Sequence, residues 1–191
     1  MSIKVLTFDV ETTHTTKDNG STTPMPYFEN MLVSIGYKWL GLPTNYLCMY
    51  HNDREPTNDG HNIFQDQLNL ADVVVGQNIK FDLQWLKACG YTYNGQVYDT
   101  MVAEYILSKA RRWPLSLDAM SKKYGGVQKE KDLVKPYLDS GHTFYDIPYD
   151  IVEEYGKADV EATEHVALQQ LSAFGTSFEE LFNARKADTY A

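Results

Sequence analysis

The run IKVLTFDV at residues 3–10 is apolar on both of its alternating faces and ends among acidic side chains. Successive side chains of an extended segment point to opposite sides, so Val5 and Thr7 share one face, while Leu6 and Phe8 share the other. A strand without a polar face is covered on both sides, as are strands in the middle of a helix-flanked sheet. This run therefore predicts a central strand.

The later segments predict the elements that surround this strand. Two more strands follow it, then a β-α unit and a helical second half, which together indicate an α/β or α+β sheet domain. The predicted strands are 31–40, 45–50 and 71–76, and the predicted helices are 61–70, 78–90, 98–107, 116–126 and 148–171.

A chain of 191 residues, 43% of them apolar, is long enough for one domain with a substantial core. No apolar run approaches the ~18 residues of a membrane span, and the N-terminus lacks the pattern of a secretory signal. Two cysteines do not make a disulfide framework. These features predict a cytoplasmic protein.

The net charge of −9 is unevenly distributed along the chain. Residues 109–135 carry a local charge of +5, whereas the segments before and after them carry −6 and −8. A basic segment within an acidic protein fits a polyanion held near an acidic site. A solvated helical face is the alternative interpretation.

Several acidic residues are candidates for a shared site. Asp9 and Glu11 are two residues apart on the predicted strand, so they point to the same side, and carboxylate pairs suit hard cations such as Mg²⁺ or Mn²⁺. Asp82 lies on a helix that follows a predicted strand, where functional residues of open sheets gather; the alternative is a solvated acid. Tyr155 and Asp159 share one face of the long helix, which is equally typical of core packing beside a surface charge.

Other polar residues of the long helix are expected to face solvent. They are Glu161, Glu164 and His165. Charged residues on one side of an amphipathic helix most often form its solvated face.

The joint pattern is more specific than its parts. Asp-x-Glu ends a strand, Asn-x-x-x-Asp opens a helix, and Tyr-x-x-x-Asp lies on a late helix, within FDVETT, VVGQNIKFDLQWL and YGKADVEAT. On these motifs, supported by YDTMVAEYIL and SLDAMSKKY, the chain resembles the DEDDy 3′-to-5′ exonucleases of the ribonuclease-H-like superfamily. It is most similar to the proofreading exonuclease domain of family A DNA polymerases, over roughly residues 3–171. The resemblance implies an α/β ribonuclease-H-like exonuclease fold, with a central mixed β-sheet flanked by helices.

The resemblance also implies a catalytic role for five residues. Asp9, Glu11 and Asp159 would hold one divalent ion, Mg²⁺ or Mn²⁺. Asp9 would also bridge to a second such ion, which Asp82 would support through a bound water. Tyr155 would orient the attacking water, since a phenol with an ordinary pKa of about 10 is a poor general base.

Contacts with the substrate are expected at five further residues. By resemblance, Thr12 and Asn78 would contact the strand near its 3′ end, and Asn78 is also expected to cap the helix that follows it. The basic and aromatic side chains of Arg111, Arg112 and Trp113 are expected to bind upstream phosphates and to stack on bases. The apolar wedge that the family often has after its first motif is missing from THTTKDNG, and a nearby aromatic residue, Tyr27 or Phe28, is the expected replacement.

The resemblance does not extend to a polymerase. The chain is therefore expected to be a free-standing exonuclease, as would suit a bacteriophage genome, or one half of a split proofreading polymerase. Residues 1–175 would form the exonuclease domain and residues 176–191 a helical tail. This tail begins with a capping-box signature, Ser177 to Glu180, and is expected to pack on the domain or to dock on a partner.

The expected activity is that of a metal-dependent 3′-5′ exodeoxyribonuclease that releases nucleoside monophosphates from single-stranded DNA or frayed 3′ ends. Its expected partners are a DNA 3′ end and a separate polymerase subunit, and no association with a membrane is expected. One alternative is an exoribonuclease resembling ribonuclease D, and another is an idle module that binds nucleic acid or a polymerase. The complete set of five site residues favours an enzyme, and the absence of an appended helical RNA-binding domain favours DNA.

Overall fold

The protein is built around a five-stranded sheet with helices on both faces. Its structure, a computed structural model, describes residues 2–16, 22–26, 29–111, 113–126 and 133–188, with side chains as far as residue 183. The strands are β1 Val5–Thr12, β2 Thr15–Thr16, β3 Thr22–Thr23, β4 Leu32–Trp39, β5 Asn45–Cys48, β6 Val73–Gly76 and β7 Gln96–Asp99. The helices are α1 Gly60–Leu70, α2 Lys80–Ala88, α3 Thr100–Leu107, α4 Leu117–Lys123, α5 Lys135–Asp139, α6 Tyr149–Phe174 and α7 Phe178–Asp188.

The predicted fold class, α/β with a central mixed sheet flanked by helices, is confirmed. Every strand and helix predicted from the sequence is present with its ends shifted by a few residues. The sequence did not indicate the short elements β2, β3, β7 and α5. Over the segments that the structure describes, no helix combines the length and the apolar character needed to cross a membrane.

The strand predicted to be central lies in the middle of the sheet. The strand order is β5-β4-β1-β6-β7, and β1 pairs antiparallel with β4 and parallel with β6. Both faces of β1 are covered because its side chains alternate between two apolar clusters. Leu6 and Phe8 pack with α1 and α2, whereas Val5 packs in a cluster with Ala167 and Leu171 of α6.

Helix α6 is fixed to the sheet by a buried ion pair, although its acidic side chains were expected to face solvent. The side chain of Lys38 on β4 is only 6% exposed, and its Nζ lies 2.6 Å from Glu161 and 2.8 Å from Glu164. Glu164 is itself buried, and the Nε2 of His165 lies 3.1 Å from the carbonyl oxygen of Tyr124. The expectation of a solvated face is therefore wrong for Glu164, whereas His165 is half-buried and Glu161 is half-exposed but paired.

The tail after α6 folds back onto the domain. The backbone N–H of Ser177 donates to Glu180 at 3.0 Å, and the N–H of Glu180 donates to the Ser177 hydroxyl at 3.2 Å, so the predicted capping box forms. The following helix buries Phe178 and Phe182 in the apolar cluster beneath α6. Phe178 also makes an edge-to-face ring contact with Tyr98, with ring centroids 5.4 Å apart.

Candidate active site

Three acidic side chains from distant parts of the chain meet at one end of β1. Asp9 and Glu11 come from β1, and Asp159 comes from α6, which crosses the same face of the sheet. Each offers one carboxylate oxygen, and these oxygens all lie within 4.8 Å of one another. Carboxylates gathered this closely repel one another unless a cation lies between them.

The geometry of β1 aims two of these side chains at the helix. Asp9 pairs with Gly36 of β4 and Glu11 pairs with Ser34, and the register shifts between Glu11 and Thr12. Such an irregularity bends the strand and re-aims the side chains next to it. Thr12, a predicted substrate contact, is buried at this bend directly after the carboxylate pair.

Asp82 lies behind the cluster on the first turn of α2. It is only 2% exposed, and its carboxylate accepts a hydrogen bond from the backbone N–H of Val10 at 3.1 Å. Burial raises the pKa of Asp82 well above its usual range, the charge of Asp9 raises it further, and the Val10 hydrogen bond only partly opposes both. The solvated acid considered for this position is excluded, because the residue joins α2 to β1 inside the protein.

Tyr155 lies one helical turn before Asp159, as its spacing predicts. Burial raises the pKa of its hydroxyl, and the nearby charges of Asp159, Glu11 and Asp9 raise it further. Its ring also contacts Phe144, with centroids 5.7 Å apart. A hydrogen bond to Asp159 also favours the protonated form, so the hydroxyl keeps its proton at neutral pH.

Sequence reasoning overlooked Tyr46, a residue of β5 that lies next to the cluster. Its hydroxyl lies 2.8 Å from the Ser34 hydroxyl and donates to the Val152 carbonyl oxygen at 3.2 Å. Burial raises the pKa of Tyr46 well above its usual range, and the charges of Glu11 and Asp9 add to the increase. In the sequence it is one of 14 tyrosines, and its position in NYLCMY indicates only a strand.

Asn78 is exposed at the start of α2, but it does not cap that helix as predicted. Helix α2 begins at Lys80 without a side-chain cap, and Asn78 adopts a left-handed backbone conformation with φ of 52°. Its backbone N–H donates to the carboxylate of Asp99 at 3.1 Å. This conformation is uncommon for residues other than glycine, although asparagine tolerates it better than most, and it leaves the amide side chain exposed to solvent.

The basic and aromatic segment after α3 forms a separate surface cavity. Arg111 and Trp113 line it together with Lys109 and Lys123, and it has a volume of about 260 Å³. The Nζ of Lys123 lies 5.8 Å from the centre of the Trp113 ring. The expectations for Arg112, Tyr27 and Phe28 concern residues outside those that the structure describes.

A second cavity opens directly beside the carboxylate cluster. It lies between α4 and α6, has a volume of about 490 Å³, and is lined by Asp159 together with Ser121, Gly126, Ala162 and His165. The cluster therefore borders a space of the size that ligand sites typically have.

Comparison with known families agrees with this geometry. The family model for the 3′-5′ exonuclease domain of DNA polymerase A matches residues 2–171. The chain belongs to this family. The four carboxylates, on β1, at the start of α2 and on α6, all lie within the matched residues.

Relatives of this exonuclease domain include two bacterial enzymes. DNA polymerase I of Borreliella burgdorferi is 25% identical over 165 residues, which is 84% of this chain. DNA polymerase I of Synechocystis sp. is 31% identical over 148 residues, which is 69% of this chain. The chain spans only 16% and 14% of the length of these relatives.

Solved structures share the fold of this exonuclease domain. The family B DNA polymerase of the hyperthermophilic archaeon Pyrobaculum calidifontis superposes with a TM-score of 0.63 and 20% identity, over 90% of this chain and 25% of the polymerase. A nuclease in its apo form superposes with a TM-score of 0.62 and 13% identity, over 88% of this chain and 72% of the nuclease. At these identities the likeness concerns the fold alone, and it confirms the predicted ribonuclease-H-like exonuclease fold.

The donor atoms of the carboxylate cluster indicate which metals fit it. Asp9, Glu11 and Asp159 offer only carboxylate oxygens, the ligands that Mg²⁺ and Mn²⁺ prefer, whereas zinc and copper sites use histidine or cysteine. Glu11 and Asp82 are buried beside these residues, and burial and the charge of Asp9 raise the pKa of Asp82; a cation would offset both effects. The residues present therefore fit a hard divalent cation.

Proposed function

We propose that this protein is a metal-dependent 3′-to-5′ exonuclease that hydrolyses single-stranded DNA or frayed 3′ ends and releases nucleoside monophosphates. The observation that carries the proposal is the meeting of Asp9, Glu11 and Asp159 within 4.8 Å, in a chain of the 3′-5′ exonuclease family. A module that only binds nucleic acid has no need for such a cluster.

The proposed cofactors are two divalent ions, Mg²⁺ or Mn²⁺. Asp9, Glu11 and Asp159 would hold one ion. Asp9 would also reach the second, which Asp82 would support through a bound water. When bound, such ions lower the pKa of a coordinated water and stabilise the charge that develops on the phosphodiester oxygens.

The chain's own residues would hold the reactants in place. The Val10 N–H fixes the Asp82 carboxylate from behind, at 3.1 Å, which orients it toward the side of Asp9. Tyr155 would orient the attacking water through a hydrogen bond from its hydroxyl. Its surroundings raise its pKa, so the hydroxyl stays protonated at neutral pH and cannot act as a general base. Positioning of this kind can contribute several kcal/mol to catalysis.

The proposed substrate contacts surround this cluster. Thr12 follows Glu11 at the bend of β1, and Asn78 exposes its side chain at the start of α2. Both residues would contact the terminal nucleotides of the DNA strand. Arg111 and Trp113 line the basic cavity, where they would bind an upstream phosphate and stack on a base; Arg112 stays a prediction from the sequence.

DNA is the proposed substrate, and a DNA polymerase is the proposed partner. The relatives at 25% and 31% identity are both DNA polymerases, of which this chain matches a small part. Proofreading beside a polymerase active site would supply frayed 3′ ends. The polymerase would be a further domain of the same polypeptide or a separate polypeptide.

The proposal is tested by digesting matched single-stranded DNA and RNA oligonucleotides that carry a 5′ label, with Mg²⁺, with Mn²⁺ and with EDTA. We expect a ladder of products shortened from the 3′ end, formed from DNA and lost in EDTA. Asp9→Asn should reduce the rate by about 10³-fold, since the variant removes one of the charges that binds the ions.

The matched control is Asp66→Asn, which makes the same chemical change on the exposed face of α1. It should digest DNA at the rate of the unmodified protein. Faster digestion of RNA than of DNA would favour the exoribonuclease. Equal activity with Asp9→Asn, or in EDTA, would contradict the proposal, and no activity on either substrate would favour the idle binding module.

A further inference from the structure

Tyr46 lies in the same cross-strand row as Asp9. Gly36 of β4 pairs with Asp9 on one side and with Tyr46 on the other. Residues directly paired across a sheet share a face, so the tyrosine ring lies on the face that carries the carboxylates. A Cβ atom added to Gly36 would lie 3.1 Å from the ring of Tyr46, which means that the ring extends across the glycine toward β1.

The hydroxyl of Tyr46 connects the sheet to the first turns of α6. It donates to the carbonyl oxygen of Val152 at 3.2 Å and lies 2.8 Å from the hydroxyl of Ser34. A phenol has one proton and a carbonyl only accepts, so Ser34 is the donor in the second bond. Because Ser34 pairs with Glu11, this chain of hydrogen bonds runs from the strand position beside Glu11 to the helix.

Gly156 lets α6 come close to this tyrosine. A Cβ atom at position 156 would lie only 2.5 Å from the Cε2 of Tyr46, a separation that real atoms do not reach. The backbone of α6 therefore rests on the ring with no side chain between them. Gly156 directly follows Tyr155 and lies less than one turn before Asp159.

We propose that Tyr46 is a positioning residue that sets the height of α6 above β1, and with it the distance from Asp159 and Tyr155 to Asp9 and Glu11. The inference rests on the proposed function, because it concerns the ion-binding carboxylates. Its physical basis is that the ring and hydroxyl of Tyr46 stand between α6 and β4, the strand that pairs with β1. Small displacements of such groups have large effects on catalysis.

The first test compares Tyr46→Phe with Tyr91→Phe. Tyr91 is also buried, and its hydroxyl makes one hydrogen bond, 2.8 Å from His61, in the apolar cluster on the other face of the sheet. Both variants should lower Tm by a few degrees. Only Tyr46→Phe should weaken Mn²⁺ binding, measured by electron paramagnetic resonance of free Mn²⁺, and lower kcat by about tenfold at nearly constant KM.

The second test adds the missing Cβ. Gly156→Ala should weaken Mn²⁺ binding and lower kcat more than Tyr46→Phe does, because the new methyl group pushes α6 away from the sheet. The double variant Gly156→Ala with Tyr46→Leu removes the ring that the methyl group meets, so it should recover part of the loss. Such coupling between two sites is the signature of a shared contact.

The proposal is overturned if Tyr46→Phe lowers Tm as Tyr91→Phe does but leaves Mn²⁺ affinity and kcat unchanged. It is also overturned if Gly156→Ala binds Mn²⁺ normally, or if the double variant is no better than Gly156→Ala alone. If the unmodified protein does not digest DNA, the proposed function fails, and the Mn²⁺ titrations of the same variants still decide the role of Tyr46.

Discussion

Asp82 and Glu104 are both buried carboxylates, but their surroundings are opposite. Asp82 is 2% exposed and lies near Asp9 and Asp99, so burial and like charges raise its pKa. Glu104 on α3 is fully buried, which opposes ionisation, but hydrogen bonds from Lys123, Tyr124 and Gln170 outweigh the burial and lower its pKa.

The difference is whether the protein itself balances the charge of a buried carboxylate, as it does at Glu104, or leaves it beside other carboxylates, as it does at Asp82. Both oxygens of Glu104 accept hydrogen bonds: one from Lys123, the other from Tyr124 at 2.7 Å and from Gln170 at 3.1 Å. The cluster around Asp9 brings together carboxylates with one another. A cation from solution would complete the charge balance there, whereas the protein itself provides it at Glu104.

Replacing the carboxylate by an amide should affect catalysis at Asp82 and stability at Glu104. The largest expected effect is the one on catalysis. Asp82→Asn should reduce kcat by about 10²-fold, because it removes a charge that supports ion binding. In EDTA the variant should be at least as stable as the unmodified protein, since a buried amide costs less than a buried carboxylate. Rates of 3′-nucleotide release and Tm in EDTA measure both effects; an ion-free variant with a lower Tm would contradict this contrast.

Divalent ions should stabilise the fold through the cluster. At about 100 times the dissociation constant, Mn²⁺ should add about 2.7 kcal/mol to the free energy of unfolding. Thermal denaturation with Mn²⁺ and with EDTA measures the difference. Glu104→Gln should show the full increase, while Asp9→Asn should show little of it. An equal increase in all three proteins would indicate that the ion binds elsewhere.

Glu104→Gln should mainly affect stability. Donors face both oxygens of Glu104, so the amide nitrogen of glutamine would meet a donor in either orientation. Lys123 is partly exposed and regains water, so we expect a loss of about 2 kcal/mol, less than for a fully buried pair. Chemical denaturation of the variant and of the unmodified protein measures this loss in the free energy of unfolding. The matched control is Asp139→Asn in the exposed pair with Lys135, which should change stability by less than ~0.5 kcal/mol.

The smallest expected effect is on the pH dependence of stability. The folded pKa of Glu104 is lower than its ordinary value of 4.5, so its contribution is fully present above that value and is lost as the pH falls through the folded pKa. Between pH 7 and pH 3 in EDTA, the unmodified protein should lose more stability than Glu104→Gln. Parallel curves of Tm against pH would contradict the proposed difference.

Local sequence pattern was sufficient for the elements with strong periodicity. The doubly apolar run of β1 predicted the middle strand, and the long amphipathic run predicted α6, because each pattern has one solution in a helix-flanked sheet. Strand β7, Gln96–Asp99, is as short as β6, but only Tyr98 among its residues is buried, whereas all four residues of β6 are buried. Its segment therefore lacks the continuous apolar run that predicted β6.

Part of the carboxylate cluster could be predicted from the sequence because its spacings are local. The pair Asp9 and Glu11 shares a face through the period of the strand, and Tyr155 and Asp159 do so through the period of the helix. The burial of Asp82 depends instead on the backbone of β1, and that of Glu164 on Lys38 of β4. These partners lie in distant segments, so the local sequence around each acid does not indicate them. The same holds for Tyr46, whose environment is created only when α6 packs on β5.

The carboxylates of the cluster lie far apart along the chain, and this has a consequence for its synthesis. Asp159 follows Asp9 by 150 positions, so it leaves the ribosome later than the two carboxylates of β1. A nascent chain that carries only the first carboxylates has no complete ligand set, whatever local structure it has formed. The proposed capacity to cut nucleic acid would therefore arise only after translation of α6, and a polypeptide interrupted before that helix would lack it.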